Sequence, residues 1–160
     1  MSSLAQRAAV RPRTTPPTPP AGIDPDTAVL QLAGEVRNEH ALLIGPNALN
    51  LMCALIRRGA AEATLLRQGI RPQRATADLA VATEIASPEQ ALSVLAHARR
   101  ALTASGRLIL RTAADPTGHL ARRVAEMLRL QGFSAVRARR ASDRTLVTGV
   151  LPWFGPLTTV

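Results

Sequence analysis

Three histidines, one cysteine, a glycine-centred turn and a strand-end arginine are the residues of this chain best suited to chemistry, and their spacing narrows what that chemistry is. His40, His97 and His119 are scattered without metal-ligand spacing, so no metal site is expected. Cys53 stands alone, which excludes an intrachain disulfide. Its setting in the apolar run from Leu51 to Ile56 predicts a buried structural thiol. No P-loop, paired-carboxylate or Ser/His/Asp constellation stands out. What remains is binding chemistry. Gly45 precedes a helical segment whose N-terminal amides can receive an anion. Arg67 ends an apolar run and offers a guanidinium that donates hydrogen bonds but accepts none.

The elements around these residues follow from hydrophobic periodicity. Asp26 is read as the N-cap of a helix over 27–38. Ala41-Leu42-Leu43-Ile44 is an unbroken apolar run ending at Gly45-Pro46, the pattern of a buried parallel strand. A helix over 48–58 follows, closed by Gly59, and then a short strand over 63–67. Residues 68–77 are polar and contain Pro72, so a full strand–helix unit is expected to be missing there. Asp78 to Ala82 reads as the next strand. Ser87-Pro88-Glu89-Gln90 then starts a helix reaching about 104, with a Ser cap and Pro in the first position. A strand over 107–112, a helix ending near Gly132, and a hairpin over 134–139 and 145–151 complete the chain. Alternation of this kind predicts an α/β fold: a three-layer Rossmann-like sandwich, its sheet mostly parallel with a C-terminal antiparallel hairpin. Ligands in such sheets bind beyond the carboxyl ends of the strands, which here means 45–49, Arg67 and 83–87.

Composition bounds the rest. The 160 residues suffice for one domain. Residues 1–22 carry five prolines and are expected to be a disordered Pro/Arg-rich tail, leaving 23–160 as the folded domain. The net charge of +9 invites a nucleic-acid role, but every basic residue is Arg, three of them lie in the tail, and the others are spread along the chain. With two Phe, one Trp and no Tyr, an aromatic platform for stacking bases is hard to build. Nucleic acid is therefore not the favoured partner. No apolar stretch approaches the roughly 20 residues of a membrane span, and the N-terminus has no apolar signal core. A cytoplasmic location is expected.

Several segments resemble class I S-adenosylmethionine-dependent methyltransferases over about residues 27–152. Ala41 to Gly45, the helix to Gly59 and Ala63 to Arg67 look like the first strand–helix–strand unit of that family. Ala77-Asp78-Leu79-Ala80-Val81 is similar to its fourth strand, and Ala98 to Leu110, containing Leu102-Thr103-Ala104-Ser105-Gly106-Arg107-Leu108, to the segment entering its fifth. Gly132-Phe133 before a terminal hairpin fits as well. The resemblance implies a cofactor site at Gly45, Asn47, Leu49 and Arg67. It also implies a substrate-facing residue just past the fourth strand, which makes Glu84 the catalytic candidate.

The same resemblance exposes departures. The family carries an acid two residues before its first glycine, then two further glycines at alternate positions; this chain has Leu43, Gly45, Asn47 and Leu49. The family's ribose-binding acid at the end of the second strand is replaced by Arg67. Each lost polar partner costs on the order of 1–3 kcal/mol. The expected function is therefore a methyltransferase-like domain with an eroded cofactor site, serving as a non-catalytic interaction or scaffold module beside a protein partner or a second copy. No cofactor is expected, or S-adenosylmethionine if the domain is active. The alternatives are a divergent active methyltransferase, or a basic module for a nucleotide or nucleic acid, since Arg67 also resembles the arginine that takes a 2′-phosphate in NADP enzymes.

Overall fold

The computed structural model describes residues 24–152, so the expected tail at 1–22 and the end of the chain beyond 152 lie outside the described residues. The elements run α1 (Pro25–Ala33), β1 (His40–Ile44), α2 (Leu49–Arg57), β2 (Glu62–Leu66), β3 (Ala77–Ile85), α3 (Pro88–Ala101), β4 (Leu102–Thr112), α4 (His119–Leu130), β5 (Ser134–Ala141) and β6 (Arg144–Val150). They build one six-stranded sheet in the order β2-β1-β3-β4-β6-β5. The first four strands of that order are parallel neighbours, while β6 runs antiparallel to both β4 and β5. This is the expected three-layer sandwich.

Side-chain alternation divides the core between the two faces of the sheet. Leu42, Ile44, Ala80, Ala82, Leu108 and Leu110 pack under α3 and α4. Leu43, Leu79, Val81 and Ile109 pack under α1 and α2. Because both faces of β1, β3 and β4 are covered, their central residues, 41–44, 79–82 and 108–110, read as continuous apolar runs.

Several boundaries differ from expectation, among them the end of β3, which runs to Ile85 and not to Ala82. Helix α1 is capped by Asp24, whose side chain accepts from Thr27 N at 3.4 Å, and not by Asp26. Pro25 fits the first helical position because it lacks an amide that would go unpaired there. The helix stops at Ala33 because Gly34 adopts φ 64° and its N–H turns back to Leu30 O. Strand β4 begins at Leu102, directly after α3, so the loop expected before 107 is an irregular strand start. There Ser105 N donates to Leu151 O at 2.8 Å and Leu151 N to Gly106 O at 2.9 Å, which draws the segment into the sheet. Residues 67–76 hold neither helix nor strand, as Pro72 and the polar run implied, and β2 is left as one edge of the sheet.

Candidate functional site

The register of the sheet decides what meets at its carboxyl end. Ile44 of β1 pairs with Leu66 of β2 and with Ala82 of β3, so Gly45, Arg67 and Thr83 emerge side by side. Gly45 has φ 114°, and a Cβ there would lie 2.7 Å from Thr83 Oγ1. That hydroxyl, buried among apolar neighbours, donates to Pro46 O at 2.6 Å. The glycine is therefore required by the fold itself, to let Thr83 tie down the turn after β1. Asn47 also has positive φ, 57°. Helix α2 starts from Ala48 with no side-chain cap, and Leu49 in its first turn is 63% exposed. Leu43 is fully buried in the layer under α1 and α2, facing no cavity.

Two hollows flank this turn. One, of about 630 Å³, lies between Gly45, Leu66, Arg67 and Ile70 on one side and Gln90 and His97 of α3 on the other. No carboxylate lines it. The other, of about 320 Å³, is lined by Asp26, Asn47, Asn50, Arg111, Asp143 and Arg144. Gly45 and Arg67 thus share one hollow, Asn47 faces the other, and Leu49 lines neither.

Charge pairing fills the second hollow. Arg144 of β6 donates to Glu84 Oε1 at 2.9 Å. Arg111 of β4 donates to Asp26 at 2.7 Å and, through Nε, to Thr83 O at 2.6 Å. Strand β3 runs on to Ile85, so Glu84 lies inside it and not just past it as expected, and it is engaged by a guanidinium. Arg111 and Arg144 were not singled out by the sequence, because their partners are 85 and 60 residues away. The available signal was an arginine inside the apolar run Leu108-Ile109-Leu110-Arg111, which a buried strand tolerates only when the charge is paired.

The remaining candidates lie apart. His40 begins β1 at the opposite end of the sheet, 3.6 Å from Asp78 and 4.0 Å from Glu62. His119 is exposed at the start of α4. Among the described residues no group of three or more His, Cys, Asp or Glu could hold a metal ion. Cys53 corrects an expectation: it is exposed, because Leu51 and Leu55 form the buried side of α2 and position 53 points away from it. Asp115 precedes α4 and accepts from Leu120 N at 2.8 Å, Thr117 Oγ1 at 2.7 Å and Thr117 N at 3.0 Å. These bonds, led by Leu120 N and the Thr117 hydroxyl, hold its carboxyl at about 2, below the ordinary 3.8.

No protein-family model and no curated protein sequence matches the chain. Solved structures do. An S-adenosylmethionine-dependent methyltransferase from Mesorhizobium loti superposes with a TM-score of 0.62 at 12% identity, over 78% of this chain and 97% of that one. One from Aquifex aeolicus gives 0.58 at 14% identity, over 79% and 89%. The T. thermophilus 16S rRNA N2 G1207 methyltransferase, solved with AdoMet and guanosine, gives 0.56 at 22% identity, over 84% of this chain and 40% of its own. The fold is that of the class I S-adenosylmethionine-dependent methyltransferases. At these identities the likeness concerns the fold, and the methyltransferase-like cleft must be judged on its own residues.

S-adenosylmethionine carries a positive sulfonium, a positive ammonium and two ribose hydroxyls, which a carboxylate serves best, and a negative carboxylate, which a guanidinium serves. The hollow beside Gly45 presents Arg67 and His97 and no acid. Leu43, at the position of the family's first acid, is sealed in the core. Acids are present on the Asn47 side, where Asp24, Asp26 and Asp143 line the hollow; Asp26 pairs with Arg111, Asp143 lies 3.9 Å from Arg144, which also holds Glu84, and Asp24 caps α1. Freeing Asp26 or Glu84 would cost Arg111 or Arg144 its shortest carboxylate contact.

Proposed function

We propose that this domain is a non-catalytic methyltransferase-fold module, an interaction or scaffold unit that does not bind S-adenosylmethionine at working concentrations. The observation that carries this reading is the acid-free lining of the hollow between Gly45, Arg67 and His97. Titration calorimetry with S-adenosylmethionine is expected to give no dissociation constant tighter than about 0.1 mM, or roughly −5.5 kcal/mol. Low-micromolar affinity would overturn the reading in favour of a divergent methyltransferase with Glu84 as its active residue.

A second reading draws on the same lining. A cavity of about 630 Å³ is within the size range of small-molecule sites, and Arg67 with His97 favours an anion over a cation. A phosphorylated nucleotide meets that description better than a sulfonium does. A thermal-shift series with NADP, S-adenosylhomocysteine and short DNA separates the cases. Stabilisation by NADP alone supports the nucleotide reading. Binding to DNA that vanishes between low and physiological salt is the expected non-specific effect of a basic surface.

A further inference from the structure

The arginines on the strands of the sheet fall into two groups. Arg107 and Arg111 of β4 and Arg144 of β6 each hold a carboxylate, at 2.8, 2.7 and 2.9 Å. Arg137, Arg139 and Arg140 of β5 are exposed, and among the described residues none of them pairs with an acid. Arg140 donates to Ser142 O at 3.4 Å. A partly buried cation needs a partner to offset its lost hydration, so the fold accounts for the first group. It does not account for the second.

The strand that carries the second group ends the sheet. From Arg137 to Ala141 it pairs with β6 in unbroken register, and among the described residues no backbone bond outside that ladder engages it. Its outer N–H and C=O groups are therefore a template for another strand. The ladder shows how the arginines point. Arg137 lies beside Thr148 and Arg139 beside Leu146, which packs in the α1–α2 layer, so these two share that face. Arg140 takes the opposite face with Ala138, whose neighbour Val147 packs in the α3–α4 layer. Helix α4, packed against β5, exposes Arg122, Arg123 and Arg129 against a single acid, Glu126. Strand β5 holds no acid, and the hairpin turn supplies only Asp143, 3.9 Å from Arg144. The template thus sits in a positive field.

We propose that the β5 edge binds an acidic segment of a partner protein, which adds to the sheet as a further strand with carboxylates opposite Arg137, Arg139 and Arg140. Charge selects this occupant. A second β5 would bring only arginines and uncharged residues to the edge, which bars a second copy of the chain there. The phosphates of a nucleic acid accept from N–H groups but give nothing to C=O groups, and β5 has no aromatic side chain on which a base could stack. An acidic strand serves both rows of the edge, and each carboxylate directly across from an arginine adds a cross-strand ion pair. This surface is apart from the cleft, and the inference does not depend on what the cleft binds.

Fluorescence anisotropy with the full chain tests it. The probe is a labelled peptide, Thr-Glu-Glu-Val-Glu-Val-Thr, which paired antiparallel from Ala141 sets its Glu residues opposite Arg140, Arg139 and Arg137. Binding is expected at low ionic strength and should weaken as salt rises. Arg137→Glu and Arg139→Glu are each expected to weaken it at least about tenfold, with far-UV circular dichroism unchanged because both side chains are exposed. Arg57→Glu makes the same change of net charge on exposed α2 surface and should leave binding within about twofold. N-methylation of one alternate set of peptide amides should abolish binding and of the other set should not, because only every second amide faces β5. No binding, equal losses from Arg57→Glu and Arg139→Glu, binding that survives both methylated peptides, or tighter binding of single-stranded DNA of equal charge would overturn the proposal.

Discussion

The half of the sheet formed by β3, β4 and β6 and the half ending in β2 share one backbone plan but not one degree of completion. Seven of the nine residues of β3 are buried, because helices cover both of its faces and strands pair with both of its edges. None of the five residues of β2 is buried. The difference follows from the chain between Leu66 and Ala77, which returns to the sheet through turns. Without a further strand and its helices, β2 lacks an outer neighbour. The carboxyl end beside it also loses wall. The thinner wall of the cleft and the open edge are thus two consequences of one short connection.

Substitutions that probe this contrast should rank in a definite order. Leu110→Ala in β4, fully buried under α3 and α4, is expected to cost about 2–5 kcal/mol by urea unfolding. Leu65→Ala in β2, 43% exposed, should cost less than about 1 kcal/mol. Equal costs would mean that the β2 half is as well packed as the rest.

Gly45→Ala comes next. The positive φ and the 2.7 Å approach of Thr83 Oγ1 lead us to expect a loss of about 1–3 kcal/mol in the ligand-free protein. A silent substitution would return this glycine to a purely ligand-directed role.

Smaller still is the ion pair that occupies the cleft. Glu84 and Arg144 have side chains 37% and 28% exposed, so solvent screening limits their coupling, and a double-mutant cycle with Glu84→Gln and Arg144→Gln should return less than about 1 kcal/mol. A larger coupling would make the pair a main fastener between β3 and β6.

The smallest effect lies in the acid limb of stability. Asp115 titrates at about 2 in the folded protein against 3.8 as its ordinary value. A depressed folded pKa means its contribution is complete above about 4 and is lost as pH falls through about 2. Asp115→Asn should therefore flatten the stability profile between those limits while changing little else, a result read from thermal melts at stepped pH.

Much of the fold was legible because it rests on local signals. Ser87-Pro88 announced α3, and Ser87 Oγ does accept from Gln90 N, at 3.2 Å. Gly45-Pro46 marked the end of β1, and Pro72 with its polar neighbours marked the missing unit. The first helix was misjudged by a few residues because Asp24 and Asp26 are both acceptable caps. The choice fell to Asp24, which lets Pro25 enter the first turn and leaves Asp26 to Arg111. Cys53 was misjudged because both flanks of α2 are apolar, and periodicity could not say which flank meets the sheet.

Sequence by itself determined the layer architecture, the sheet's parallel character and the identity of the residues at the carboxyl ends of its strands. These depend on alternation, caps and breakers, which act within a few residues. Tertiary structure alone decided that Gly45 serves Thr83, that Glu84 is held by Arg144, that Arg111 reaches Asp26, and that β2 forms one edge of the sheet. Each of these couples groups distant along the chain or depends on the register that brings strands together. An arginine carries no mark of which carboxylate it will meet until the sheet has set the distance between them.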